Sequence, residues 1–465
     1  MANRFINIEK FLEDVSHHPL PTDRNKPSFL MIVPASAQIP TPGREFFLKV
    51  PIEGVSYIST TLKNAGYKVE IIDYRINSKS VDFEKFFNND RVVIGIATFA
   101  DSYTFIEDLI KKIRDKKKDV CIILGGPFIS SAPEILMRNL PVDYAILGEG
   151  ELTILELMEV LSVGDKEEIS KIPGIAYKQN GSIIFTNHRR QIADLDYLPF
   201  LDLNLWPSIQ NGSMVEKVGF SSTRGCYNSC SFCFKTIPLA RKMSPAGFGK
   251  KVRYLVNKHN IKFAFINDLT FVIGRERTIQ LCSELKSSGI RWACSTRVDN
   301  IDRELLEIMH DCGCEEIWYG IESVDQKVLD ANFKKTTVEQ IEEAVKLTNE
   351  AGIKFMANFI IGLLGETEVS LNKMIKFIDT HNVIPCSIKY LTPFPGTHIY
   401  NYARKKGLIK DEIGYFKSLS RRKVNYSEDE IINCTGISER TLRDAFKRIR
   451  KISYDRYGPL DWNIS

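Results

Sequence analysis

The stretch "RGCYNSCSFCF", residues 224–234, places Cys226, Cys230 and Cys233 within eight positions in a C-x3-C-x2-C spacing. Three soft ligands converge on one loop with no fourth beside them. A structural zinc site asks for four Cys or His ligands, commonly in two pairs. The nearest further candidates, His259 and Cys282, form no second pair. A disulfide would strand one thiol. An iron–sulfur cluster takes thiolates, usually four. Three leave one iron open to a substrate or cosubstrate, as a catalytic zinc keeps an open position. The missing ligand therefore favours a reactive cluster over an electron carrier.

The rest of the composition agrees with that chemistry. Only Cys121 of the ten cysteines precedes residue 226, so this is no disulfide scaffold. The N-terminus, "MANRFINIEKFLEDVSHH", has no apolar signal region, and the expectation is a reducing, cytoplasmic compartment. No stretch approaches the roughly 18 apolar residues of a membrane span. A net charge of +5 is too weak to point to nucleic acid.

The loop needs a scaffold, and the hydrophobic rhythm supplies one. "KVGFSST", "KFAFIND", "RWACSTR", "EEIWYGIE", "KFMANFIIG" and "CSIKYLTP" read as strands. Amphipathic helices over 245–258, 275–288, 302–311, 337–351 and 367–380 separate them. Six such repeats predict a partial (β/α)6 barrel with its chemistry at the C-terminal strand ends. The cysteine loop follows the first strand. Ahead of it, "SFLMIVPA", "YKVEIIDY", "RVVIGIAT", "VCIILGGP" and "VDYAILGEGE" alternate with helices, the first ending at Gly66. They predict an α/β, doubly wound parallel sheet of Rossmann-like type. Its glycine-rich strand ends, Gly125-Gly126 and Gly148-Glu149-Gly150, read either as tight turns or as places where a flat ligand meets the backbone. The expected organisation is a leader over 1–27, the wound domain over 28–164, and a linker with a hairpin at Asn180-Gly181 over 165–215. The barrel follows over 216–400 and a small helical region over 401–465.

The cysteine spacing, with Phe232 before its last thiol, resembles the signature of radical S-adenosylmethionine (SAM) enzymes. The resemblance implies a [4Fe-4S] cluster on Cys226, Cys230 and Cys233, with SAM on the fourth iron and reduced to a 5′-deoxyadenosyl radical. "FINDLTF" resembles the second-strand segment and implies Asn267 and Asp268 near SAM or substrate. "CSTRVD" implies Ser295 and Arg297 at SAM's carboxylate and ribose, "YGIES" implies Glu322, and "TPFPGT" implies Pro393. "IGLLGET" departs from the usual pattern, having Leu364 where proline is common. Singly, each has a plain alternative, such as a surface ion pair for Arg297 or a helix cap for Glu322.

A wound domain ahead of such a barrel resembles the cobalamin-binding, class B methyltransferase-like group of radical SAM enzymes. The resemblance spans about 28–400 and implies cobalamin contacts from Thr98, Ser102, Gly125, Gly126, Gly148 and Glu149. It further implies methylation of an unactivated carbon or phosphorus centre, one SAM giving its methyl through cobalamin and a second giving the radical. Alternatives are ring formation, ring contraction or oxidation without methyl transfer, and a sensing module without turnover. No histidine lies between His18 and His188, so a histidine ligand to cobalt from this segment is excluded. A methylthiotransferase would need a second three-cysteine cluster in this segment, where only Cys121 lies. The expected partners are a small-molecule or lipid-like substrate and an electron donor. No catalytic side chain is assigned. "SEDEIINCTGISERTLRDAFKRIRK" superficially resembles a helix-turn-helix, but a helical cap on the barrel is the preferred reading. Cys312 and Cys314 ("CGC") read as buried packing residues.

Overall fold

A computed structural model describes residues 19–23, 25–35, 50–76, 83–87, 91–210, 216–237, 239–421 and 431–458. Most of the expected leader lies outside these residues. Its last part is tied down, Leu20 N donating to Asn64 O and Asp23 N to Gly66 O. The chain divides into two compact units. Among the described residues one comprises 19–35, 50–210 and 413–421, the other 216–412 and 431–458.

The first unit is a seven-stranded sheet. Strands β1 (Ser28–Val33), β2 (Val69–Asp73), β3 (Val92–Ala97), β4 (Cys121–Gly125) and β5 (Tyr144–Ile146) are parallel in the order β2-β1-β3-β4-β5. Helices α1 (Glu53–Asn64), α2 (Tyr103–Lys116), α3 (Pro127–Ser131) and α4 (Pro133–Asn139) lie between strands of this series, and α5 (Glu151–Val163) follows β5. β3 reads VVIGIA and every residue is buried, as a central strand covered on both faces requires. This strand order reverses direction between β1 and β3, where open sheets of this kind receive ligands beyond their carboxyl ends.

The hairpin at Asn180-Gly181 forms, but it does more than link. Its strands β6 (Ile175–Gln179) and β7 (Ser182–Phe185) extend the same sheet antiparallel beyond β5. The following Pro-punctuated segment also packs home. Leu203 and Trp206 are fully buried, and Trp206 Nε1 donates to Ser56 Oγ of α1 at 2.9 Å. The expected linker is therefore part of the first unit, because its apolar residues cover α1.

The second unit has six parallel strands, β8 (Lys217–Phe220), β11 (Phe263–Ile266), β12 (Arg291–Thr296), β13 (Cys314–Glu322), β14 (Lys354–Ile361) and β15 (Ile384–Tyr390). Spatial neighbours are sequence neighbours throughout. A two-strand ribbon, β9 (Thr223–Arg224) and β10 (Arg241–Lys242), interrupts the series after β8. The crossovers use α6 (Pro245–His259), α7 (Arg275–Ser287), α8 (Arg303–Asp311), α9 (Gln326–Ala331), α10 (Val338–Glu350) and α11 (Glu368–Thr380). The expected partial barrel is present, with helix ends within a residue or so of their sequence assignments.

The region after 400 departs from expectation. It holds α12 (His398–Lys405), α13 (Glu412–Leu419) and α14 (Glu439–Tyr457), and it is not one piece. α14 caps the barrel unit, Phe446 stacking on Tyr390 of β15 with centroids 5.0 Å apart. Residues 413–421 belong instead to the first unit. Residues 427–430 of the suggested helix-turn-helix lie outside the described residues. "NCTGIS" is an irregular turn, with Ser438 capping α14.

Candidate functional site

Parallel strands bring their carboxyl ends to one edge, and each residue singled out in the barrel sequence stands at or just beyond such an end. After β8 the chain passes through Ser222 and Thr223 into the ribbon. The cysteine loop runs between β9 and β10. Gly225 is required at its start. Its φ is +82°, and a Cβ there would lie 2.4 Å from the Leu239 carbonyl oxygen.

Asp268, just past β11, clamps this turn. Its carboxylate accepts from Ser222 N at 2.7 Å, Ser222 Oγ at 2.5 Å and Thr223 N at 2.8 Å. Burial pushes its carboxyl up to about 6, against the pull of those donors and Arg277. Sequence placed Asp268 near SAM. At 1% exposure it is turned into the protein instead, and shapes the loop from behind. Asn267 is exposed, its amide lying over Gly219, where a Cβ would come within 2.6 Å.

The three loop thiols are free, Cys226 and Cys230 half-buried and Cys233 exposed. Cys226 Sγ accepts from Asn228 N at 3.4 Å. A hydrogen bond between Cys230 and Cys233 lowers the Cys230 thiol and raises that of Cys233; Lys334 and Arg297 add to the lowering at Cys230. Phe232 is half-buried. Ser231 anchors the loop from inside. Its N–H donates to Asn332 O at 3.0 Å, its hydroxyl to Asn332 Oδ1 at 2.9 Å, and its carbonyl accepts from Ile399 N of α12 at 3.1 Å. Asn332 Nδ2 in turn donates to Leu364 O at 2.9 Å, joining the cysteine loop to "IGLLGET".

The segment 332–335, directly after α9, was not singled out by its sequence. It has no ligand spacing, yet it supplies a buried cation to the site, beside the buried Arg297. Lys334 is 6% exposed and lies 3.6 Å from Glu322. Gly320 makes the room, since a Cβ there would come 2.8 Å from Glu322 Oε1 and 3.1 Å from Lys334 Nζ. Burial raises the Glu322 carboxyl, with Lys334 and then Lys389 opposing. Glu322 also holds φ at +67°, uncommon for a residue with a side chain and a mark of functional positions. Arg297, expected at SAM's carboxylate, pairs with the Asp299 carboxylate at 2.8–2.9 Å and donates to Lys335 O at 2.9 Å. Its charge remains beside Cys230, while these donors are taken within the protein. Ser295 is half-buried at the end of β12.

Beyond β14 the turn closes without the usual proline, Glu366 N donating to Leu363 O at 3.1 Å. Gly362 N donates to the Glu366 carboxyl, which burial pushes up to about 8. Pro393 leads into Thr397, whose hydroxyl accepts from Tyr400 N at 3.1 Å and caps α12. Cys312 and Cys314 are buried, the latter thiol directed to Glu316 O at 3.6 Å, as packing residues would be.

In the first unit the strand-end residues separate into two kinds. Thr98 is buried; its hydroxyl donates to Gly125 O and accepts from Ile129 N, both at 2.9 Å. Ser102 is buried and donates to Phe99 O at 2.8 Å. Glu149 accepts from Ile192 N at 3.0 Å. These three side chains, expected as ligand contacts, brace the loops. Gly125 and Gly148 present backbone, and a Cβ on either would meet nothing within 4 Å. Gly126, at φ +106°, packs over the Thr98 backbone.

A doubly wound sheet and a six-stranded partial barrel carrying a three-cysteine loop define a class, the cofactor-dependent radical enzymes. The radical SAM superfamily model matches residues 220–378, and the B12 binding domain model matches residues 45–158. An uncharacterized methyltransferase of Pyrococcus horikoshii is 30% identical over 372 residues, covering 77% of this chain and 80% of that one. An anaerobic magnesium-protoporphyrin IX monomethyl ester cyclase of Rubrivivax gelatinosus is 28% identical over 372 residues, 77% and 67% of the two chains. The fold is shared with the radical SAM methyltransferase TsrM of Kitasatospora setae, solved with cobalamin and a [4Fe-4S] cluster. The TM-score there is 0.66 at 17% identity, over 82% and 75% of the chains. It is shared also with the cobalamin-dependent radical enzyme OxsB, at TM-score 0.62 and 18% identity over 84% and 56%. The chain belongs to the cobalamin-binding radical SAM enzymes, in their class B methyltransferase-like branch. Its cofactors are a [4Fe-4S] cluster, SAM and cobalamin, the set its two domain families use.

The residues present fit these groups. Among the described residues no three His, Cys, Asp or Glu side chains gather to hold one metal ion. A cluster of several irons would not require three side chains to converge on one ion. Three free thiols with Lys334 and Arg297 nearby suit an anionic cluster. The open space at Gly125 and Gly148 suits close backbone approach by a large flat ligand.

Proposed function

We propose that this enzyme transfers a methyl group to an unactivated carbon or phosphorus centre of a small-molecule or lipid-like substrate. It would work in the cytoplasm and draw electrons from a separate donor. One observation carries the reading: the three-thiol loop at the barrel's strand ends shares a chain with a B12 binding domain, in a sequence 30% identical to a relative named a methyltransferase. The cluster with SAM supplies a hydrogen-abstracting radical and cobalamin a methyl carrier, which is chemistry that side chains lack.

What remains for the chain is holding, orienting and excluding water. Cys226, Cys230 and Cys233 would hold the cluster. Phe232, Asn267, Ser295, Glu322 and Pro393 stand at the loop and strand ends where SAM is expected, with Lys334 and Arg297 giving the positive field its carboxylate needs. Asp268 acts one step back, by fixing the turn that carries the cysteines. Gly125, Gly126 and Gly148 would receive cobalamin, on loops braced by Thr98, Ser102 and Glu149.

Anaerobically reconstituted protein, given SAM, hydroxocobalamin and a low-potential reductant, should form both 5′-deoxyadenosine and S-adenosylhomocysteine. Its product should gain one methylene unit in mass. Substrate conversion with 5′-deoxyadenosine but no mass gain would sink methyl transfer. It would favour ring formation, ring contraction or oxidation, the reading that the 28% identity to a cyclase supports. An intact cluster that never cleaves SAM would instead indicate a sensing role.

A further inference from the structure

Helix α13 follows the barrel in sequence, yet residues 413–421 pack within the first unit. Phe416 is fully buried there. Its ring stands edge-on to Phe128, with centroids 4.9 Å apart, and against Tyr103 at 6.0 Å. Lys417 Nζ pairs with Glu107 at 2.9 Å. Thr104 N donates to Ser420 Oγ at 3.2 Å, across 316 positions of chain.

These partners share a location. Tyr103, Thr104 and Glu107 begin α2, directly after the loop 98–102 that follows β3. Phe128 begins α3, directly after Gly125-Gly126 at the end of β4. The two loops are already joined, Thr98 N donating to Gly125 O at 2.7 Å and Phe128 N to Thr98 O at 3.3 Å. One short helix therefore presses on the roots of both strand-end loops. Closing so long a stretch of chain costs entropy that its contacts must overcome.

We propose that residues 413–421 are a clasp that sets these two loops for cobalamin, with Phe416 as a positioning residue for corrinoid binding. The inference rests on the reading that loops 98–102 and 125–126 receive cobalamin. Without the clasp the loops sample other arrangements, and apparent affinity falls with the fraction that stays competent.

The test titrates hydroxocobalamin by absorbance into full-length, cluster-reconstituted protein. Phe416→Ala should weaken binding on the order of tenfold, with iron content unchanged, and Phe416→Leu should restore most of the affinity. Gly125→Val, placing a side chain in the open space of the loop itself, is the control for the underlying reading. Unchanged binding in Gly125→Val would overturn the loop assignment. Lost binding in Gly125→Val, with wild-type binding in Phe416→Ala and only a lower Tm, would overturn the clasp alone. Should Phe416→Ala fail to fold, Lys417→Met carries the same comparison: weakened binding supports the clasp, and wild-type affinity overturns it.

Discussion

At the scale of single residues, the structure separates the thiols that can act from those that only pack. Burial raises Cys121, Cys282, Cys314 and Cys434 above the ordinary thiol range. Among the described residues only the loop combines three thiols, access and nearby cations. Changing Cys226, Cys230 and Cys233 together to Ala should abolish bound iron and sulfide and SAM cleavage alike; retention of both would refute the cluster assignment. Glu366 offers a test by pH. Its carboxyl ionises near 4.5 when exposed and near 8 in the fold. Between those values the folded state holds a proton that the unfolded state has lost, so stability falls as pH rises through the window, by up to about 1.4 kcal/mol per unit. Thermal melts from pH 5 to 9 should therefore decline less steeply for Glu366→Gln than for the wild type. Parallel curves would show that the carboxyl does not carry this shift.

At the scale of elements, the site is a loop held from three sides. Asp268 grips its entrance, the ribbon of β9 and β10 closes its base, and Asn332 with the start of α12 holds its middle at Ser231. Gly225→Ala would place a Cβ against the Leu239 carbonyl and force a left-handed backbone on a residue that resists it, at about 1–2 kcal/mol before the clash. Iron loading should fall while far-ultraviolet circular dichroism stays near wild type; full loading would show that the loop adapts. Asn332→Ala removes the side-chain partner of the Ser231 hydroxyl and the link to Leu364 O, leaving only the backbone bond between the two residues. Leaving such buried groups unpaired costs about 1–3 kcal/mol each. Lower iron occupancy is expected without any thiol being touched, and normal occupancy would contradict the tie.

At the scale of the whole molecule, the proposed function assigns cobalamin to the first unit and the cluster to the second, following the matched ranges 45–158 and 220–378. Hydrogen exchange read by mass spectrometry should show hydroxocobalamin protecting residues 97–104, 125–130 and 147–150. Cluster reconstitution should protect 222–237 and 332–336. Corrinoid protection confined to the second unit would overturn this division. The same experiment bears on the clasp, since 413–421 should gain protection together with the corrinoid loops.

The sequence by itself determined the cysteine loop, both parallel sheets and the strand ends that matter. Those signals are local: ligand spacing, the alternation of strand and helix, and glycine where backbone must turn or stand close. Tertiary structure decided what each polar residue faces, because a strand-end side chain can turn toward ligand space or into the protein behind it. Asp268, Thr98, Ser102 and Glu149 turn inward to brace loops, and Arg297 pairs with Asp299. Tertiary structure also brought in Asn332 and Lys334, which stand beside the thiols only after α9 turns the chain back. It placed Phe416 between α2 and α3. Such contacts join residues a hundred or more positions apart, and no local spacing encodes which of them will meet.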